Sequence, residues 1–204
     1  MDSMLRRVAR VGFLILGFAA SASWAQETVR VRGAIERVDG QTLVVKSREG
    51  AELKVVLTNN ALIVGIVKAS LSDIKPGSFV GVTGIPQPDG SQKAVEVHIF
   101  PEAMRGTGEG HRPWDLRPQS TMTNASVEQT VTGVDGQTLT LKYKEGEKKV
   151  VVPPDTPIVT YVPADKSELK PGVKIFIAAA DKQPDGTLRA SRVNFGKDGL
   201  TPPM

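Results

Sequence analysis

Apolar and polar side chains alternate over short runs along most of the chain. Val29, Val31 and Ile35 fall on one face of an extended run, with Arg30, Arg32 and Glu36 on the other. Leu53, Val55 and Leu57 oppose Glu52, Lys54 and Val56, and Val95, Val97 and Ile99 oppose Ala94, Glu96 and His98. Leu139, Leu141 and Tyr143, and later Val193 and Phe195, continue the pattern. A period of two marks half-buried antiparallel strands. Asp-Gly and Pro-Asp-Gly steps separate the runs, because these residues supply the positive φ and fixed φ that tight turns need. Short helical pieces are predicted over 69–74 and 165–169, each ended by Lys-Pro-Gly.

The turn blocks recur. Val38-Asp39-Gly40-Gln41-Thr42-Leu43 returns as Val134-Asp135-Gly136-Gln137-Thr138-Leu139, and Glu49-Gly50 as Glu145-Gly146. Lys75-Pro76-Gly77 returns as Lys170-Pro171-Gly172, and Gln87-Pro88-Asp89-Gly90 as Gln183-Pro184-Asp185-Gly186. Order and spacing are kept, so the chain holds a duplication. Each copy reads as three strands, a short helix and two strands. The expected fold is all-β: two tandem, small, five-stranded OB-like barrels, each with a short helix. The boundaries are 27–100 for the first barrel, 101–126 for a connector and 127–199 for the second barrel.

The first 25 residues read as a signal peptide. Arg6, Arg7 and Arg10 precede an apolar stretch from Val11 to Ala20, and Ser23-Trp24-Ala25 offers small residues for cleavage after Ala25. The apolar stretch is too short to span a bilayer. The expected location is periplasmic or secreted, with no transmembrane span after cleavage. The chain's net charge is +4, and the part after Ala25 holds 23 basic and 21 acidic groups, so no nucleic-acid footprint is implied. With no cysteine, disulfides, thiol catalysis and a lipid anchor on cysteine are excluded.

Two elements carry a family resemblance: Leu71-x-x-Ile74-Lys75-Pro76-Gly77, with its counterpart ending Leu169-Lys170-Pro171-Gly172, and the closing strands after Pro88-Asp89-Gly90 and Pro184-Asp185-Gly186. They resemble the exported bacterial domain-of-unknown-function family DUF 5666, in two tandem copies. The resemblance implies an OB-like barrel in the cell envelope and no particular activity.

Candidate chemistry collects in the connector. Pro101 to Ser126 is longer than an ordinary connection and contains Trp114, the sole tryptophan after Ala25. Burial is the usual use of a tryptophan, so the connector is expected to lie on protein. Glu102, Arg105, His111, Arg112, Trp114 and Asp115 form the predicted binding surface, with Trp114 largely buried and His111 and Arg112 beside it; the other reading is an ordered strap in which Trp114 plugs the groove between the two domains, and the two can coexist. A mixed N/O metal site from His98, Glu102, His111 and Asp115 is an alternative requiring convergence by folding. Gly106-Thr107-Gly108-Glu109-Gly110 lacks the lysine and spacing of a phosphate loop. No nucleophile elbow is present. The expectation is a non-enzymatic binding or interaction protein without a cofactor, whose partner is an unknown envelope protein or a small ligand. A metal-binding accessory protein ranks second and a weak hydrolase third.

Overall fold

The computed structural model describes residues 27–134 and 136–204. The predicted signal peptide and its cleavage site lie outside the described residues. The first copy supplies β1 (Thr28–Asp39), β2 (Thr42–Ser47), β3 (Glu52–Lys68), β4 (Phe79–Pro86) and β5 (Gln92–Phe100). The connector supplies β6 (Gly110–Pro113). The second copy supplies β7 (Thr121–Gly133), β8 (Gly136–Tyr143), β9 (Gly146–Val152), β10 (Ile158–Pro163), β11 (Lys174–Lys182) and β12 (Leu188–Gly196). The two predicted helical pieces are single 3₁₀ turns, Leu71–Asp73 and Lys166–Glu168.

Strand pairing closes two five-membered rings. Ring one runs β1, β2, β3, β12, β11 and back to β1. Ring two runs β7, β8, β9, β5, β4 and back to β7. In each ring one neighbouring pair is parallel, β3 with β12 and β5 with β9. Ring one encloses Val31, Leu43, Val55, Ile177 and Val193, and ring two encloses Val80, Val97, Leu139, Leu141 and Val150.

This corrects the expectation that 27–100 and 127–199 each close a barrel of their own. Every ring takes three strands from one copy and two from the other. The reason lies at the end of β3. Its first half pairs with β2, but Val64–Lys68 pair with β10, which carries the chain out of ring one. The Lys-Pro-Gly turn that follows then docks on the other copy: Gly77 N donates to Val127 O, and Val127 N donates to Ser78 O. The second copy crosses back in the same way, with Gly172 N donating to Ile35 O and Ile35 N to Val173 O. The copies differ at one point. Where β3 is continuous, the second copy is divided into β9 and β10 by Pro153, Pro154 and Pro157, which cannot donate to a ladder.

Between the rings lies a seam. β10 stitches it, antiparallel to β3 and parallel to β5. Val64, Ile66, Phe79, Phe100, Tyr161 and Phe176 pack there as a third apolar cluster.

Candidate functional site

The strands facing the seam are buried on both sides. Along β5, Ala94 and Val97 point into ring two, and Glu96, His98 and Phe100 point to the seam. The simple alternation of 94–99 fails because pairing with β4 skips Val95, a bulge that shifts the faces by one residue. Glu96 and His98, read from the sequence as a solvent face, are 0% and 3% exposed. Asn124 of β7 and Asn194 of β12 are buried as well.

Burying these groups requires partners. Thr83 Oγ1 donates to Glu96 Oε1 at 2.5 Å, and His98 Nδ1 faces Glu96 Oε2 at 3.3 Å. Arg192 Nε donates to Asn194 Oδ1 at 3.1 Å. Burial, then the charge of Glu96, pushes the pKa of the Tyr161 phenol upward. Its hydroxyl is 3.7 Å from Met204 Sδ.

In this seam is a cavity of about 240 Å³. Phe100, Trp114, Tyr161 and Phe176 give it aromatic walls, and Met122 and Met204 give it flexible apolar ones. Arg112, Arg192, His98, Thr107, Asn124 and Asn194 supply its polar groups, and among the described residues no Asp or Glu side chain lines it. Two polar atoms of the lining residues are buried without a hydrogen-bond partner: Trp114 Nε1 and Asn124 Oδ1. Asn124 is held in orientation by Nδ2, which donates to Thr107 O at 2.9 Å. Gly81 makes room for this arrangement, since a Cβ there would collide with His98 Nε2 and approach Asn124 Oδ1.

The connector is ordered against both rings. β6 pairs with the half of β7 that β8 does not reach. Alternation along β6 divides the six predicted site residues. Arg112 and Trp114 share a face and line the cavity. The Trp114 ring meets Phe176 edge-on at 6.4 Å, and the Arg30 guanidinium lies 4.0 Å from its centroid. Trp114 is largely, though not fully, buried and packs against the seam cluster. His111 points the other way, with Nδ1 2.8 Å from Thr123 Oγ1 and its ring stacked on Tyr143. Burial, then the charges of Lys148 and Arg112, lowers the pKa of His111. The expectation that His111 stands beside Trp114 is corrected on this ground.

The other three residues hold the connector in place. Asp115 accepts from Arg32 at 2.7 Å and from Arg30 at 3.2 Å, tying the connector to β1. Burial pushes the Asp115 carboxyl up, but its hydrogen bond with Arg32 and the charges of Arg32 and Arg30 outweigh this and hold it below its ordinary value. Glu102 pairs with Arg105, whose Nη2 donates to Gly77 O in the crossover. Among the described residues, no three His, Asp or Glu side chains stand close enough to hold a metal ion. His98, Glu102, His111 and Asp115 are therefore not gathered into the mixed site considered above.

Sequence reasoning missed His98, Asn124, Tyr161, Phe176, Arg192 and Asn194 as cavity residues. Phe100 shares its strand face with Glu96 and His98, and that apolar neighbour was the available signal that the face is covered.

Comparison with known proteins adds one finding. Residues 32–98 match the family model DUF5666, a domain of unknown function. This supports the family over the first copy, and the match does not extend to the second. The matched stretch contributes strands to both rings, so the unit of sequence is not a closed ring here. No curated protein and no solved structure matches the chain.

Proposed function

We propose that the protein is an exported, non-enzymatic binding protein that takes a small ligand in the cavity between two OB-like barrels. In each ring the strands taken in repeat order run 1-2-3-5-4, with the third and fifth parallel, which supports the OB-like reading. The N-terminal pattern of arginines, a short apolar stretch and small residues supports export to the periplasm or beyond. Among the described residues no helix is long and apolar enough to cross a membrane.

One observation carries the binding reading. Trp114 Nε1 and Asn124 Oδ1 are buried, unpartnered, and belong to residues lining one cavity. Unsatisfied buried polar groups cost about 1–3 kcal/mol each, and a ligand that pairs them recovers that cost. A cavity with few convergent polar groups among apolar walls is the usual form of a small-molecule site. The test is thermal melting of the protein with toluene, phenol and benzoate, representing neutral apolar, neutral polar and anionic ligands. Binding raises the melting temperature by mass action. The expected result is a rise with at least one probe that is lost in Ala178→Trp, whose larger side chain replaces an exposed residue of the cavity wall. No rise with any probe would contradict the reading.

A further inference from the structure

The cavity's polar atoms narrow what it accepts. Arg112 and Arg192 both line it, and neither has a carboxylate within ion-pair distance among the described residues. Arg112 Nη1 donates only to the backbone, at Gly108 O. Burial and the nearby Arg30 lower its pKa, the signature of a cation lacking compensation. The contrast with the connector's other arginine contacts is informative. Arg30 and Arg32 converge on Asp115, and Arg105 on Glu102, so three neighbouring guanidinium groups have carboxylate partners while the two at the cavity do not among the described residues. Asn124 stands beside Arg112: the space above Gly108 is bordered by Arg112 Nη2 and Asn124 Nδ2.

The acceptors tell a second part. His98 Nε2 and Asn124 Oδ1 converge above Gly81, and Asn124 Oδ1 is buried without a hydrogen-bond partner among the described residues. The His98 ring is fixed by Glu96 on its Nδ1 side and by edge contacts to Phe100 and Tyr161. A buried acceptor without a donor is satisfied by one from outside the protein.

We propose that the cavity binds a small aromatic carboxylate bearing a hydroxyl group. The carboxylate pairs with Arg112, Arg192 and the indole N–H of Trp114. The hydroxyl donates to Asn124 Oδ1, beside His98 Nε2. The ring packs among Phe100, Tyr161 and Phe176. At about 240 Å³ the cavity lies below the roughly 300–1,000 Å³ range of drug-sized sites, which limits the ligand to a single ring. The proposal rests on the cavity reading above.

The experiment is calorimetric titration of the full chain with 4-hydroxybenzoate, 4-hydroxyphenylacetate and 3-phenyllactate, against benzoate, which lacks the hydroxyl, and phenol, which lacks the carboxylate. At least one hydroxy acid should bind ten-fold or more tightly than both benzoate and phenol. Arg192→Gln should remove the advantage over phenol, and Asn124→Leu the advantage over benzoate. Melting temperatures of both variants establish that they fold, and Arg112→Gln gives a second probe of the anion if Arg192→Gln does not. Equal or tighter binding of phenol or benzoate would overturn the ligand class while leaving the cavity reading standing. Failure of every probe would overturn both.

Discussion

The ring interiors and the seam between them are both buried, but they are built differently. The rings close on Val, Leu and Ile from alternate positions of their own strands. The seam holds Glu96, His98, Asn124 and Asn194, with two polar atoms left unpaired. A ring interior needs only side chains that are apolar and of the right volume. Each polar group in the seam carries a desolvation cost that must be met by a defined partner. The rings therefore account for folding, and the seam is where selection for a ligand would leave its mark.

The largest expected effects fall inside the rings. Leu43 and Leu139 are fully buried in rings one and two. Leu43→Ala and Leu139→Ala should each cost about 3 kcal/mol, within the range for large-to-small changes in well-packed cores. Because each ring takes strands from both halves of the chain and β10 pairs with a strand of each, both variants should unfold in a single urea transition followed by circular dichroism. Two separated transitions, with each mutation shifting only one, would break the comparison by making the rings independent.

A middle-sized effect is expected at the seam. Trp114 is largely, though not fully, buried and carries Arg30 on its face. Trp114→Ala should cost about 1–2 kcal/mol, less than a ring-core leucine, through lost apolar burial and a lost cation–π contact. A loss matching that of Leu139→Ala would mean the seam is as essential to folding as the rings.

The smallest effect belongs to the connector's tie to β1. The Asp115 side chain is 47% exposed, so its pairing with Arg30 and Arg32 should contribute less than about 1 kcal/mol. Its carboxyl is held below the ordinary value of 3.8 in the folded protein. A depressed folded-state pKa stabilises above the unfolded value, and that stabilisation is lost as pH falls through the folded value. Wild type and Asp115→Asn should therefore differ slightly at neutral pH and converge below about pH 3.8. A difference that persists at low pH would remove the ion pair from the account.

Much of the ring architecture was legible in the sequence. Period-two alternation located the strands, and the repeated Asp-Gly, Lys-Pro-Gly and Pro-Asp-Gly blocks located the turns. Which strands pair was not legible. Alternation at β1 specifies a buried face but does not distinguish β4 from β11 as its neighbour, since both follow a Lys-Pro-Gly turn and precede a Gln-Pro-Asp-Gly turn. The exchange depends on the direction the chain takes after Lys68, which pairing with β10 sets. The connector's composition pointed to Arg112 and Trp114, but its alternation should have separated them from His111. Glu96 and His98 were missed because a polar strand face normally meets water, whereas here it meets the other ring.

The central claim is the exchange of strands between copies, and one cross-linking experiment tests it directly. The chain has no cysteine, so an introduced pair reports without interference. Thr28 of β1 lies opposite Asp181 of β11. Ile85 holds the same place in the first copy as Asp181 in the second: each precedes its Gln-Pro-Asp-Gly turn by two residues and accepts from that glutamine's side chain. Directly opposed residues in an antiparallel pair come within about 4.5–5.5 Å, inside the range a disulfide spans. The account predicts that Thr28→Cys with Asp181→Cys forms an intramolecular disulfide under mild oxidation, seen by peptide mass mapping, and that Thr28→Cys with Ile85→Cys does not. The reverse outcome would show each copy closing its own barrel and contradict the account.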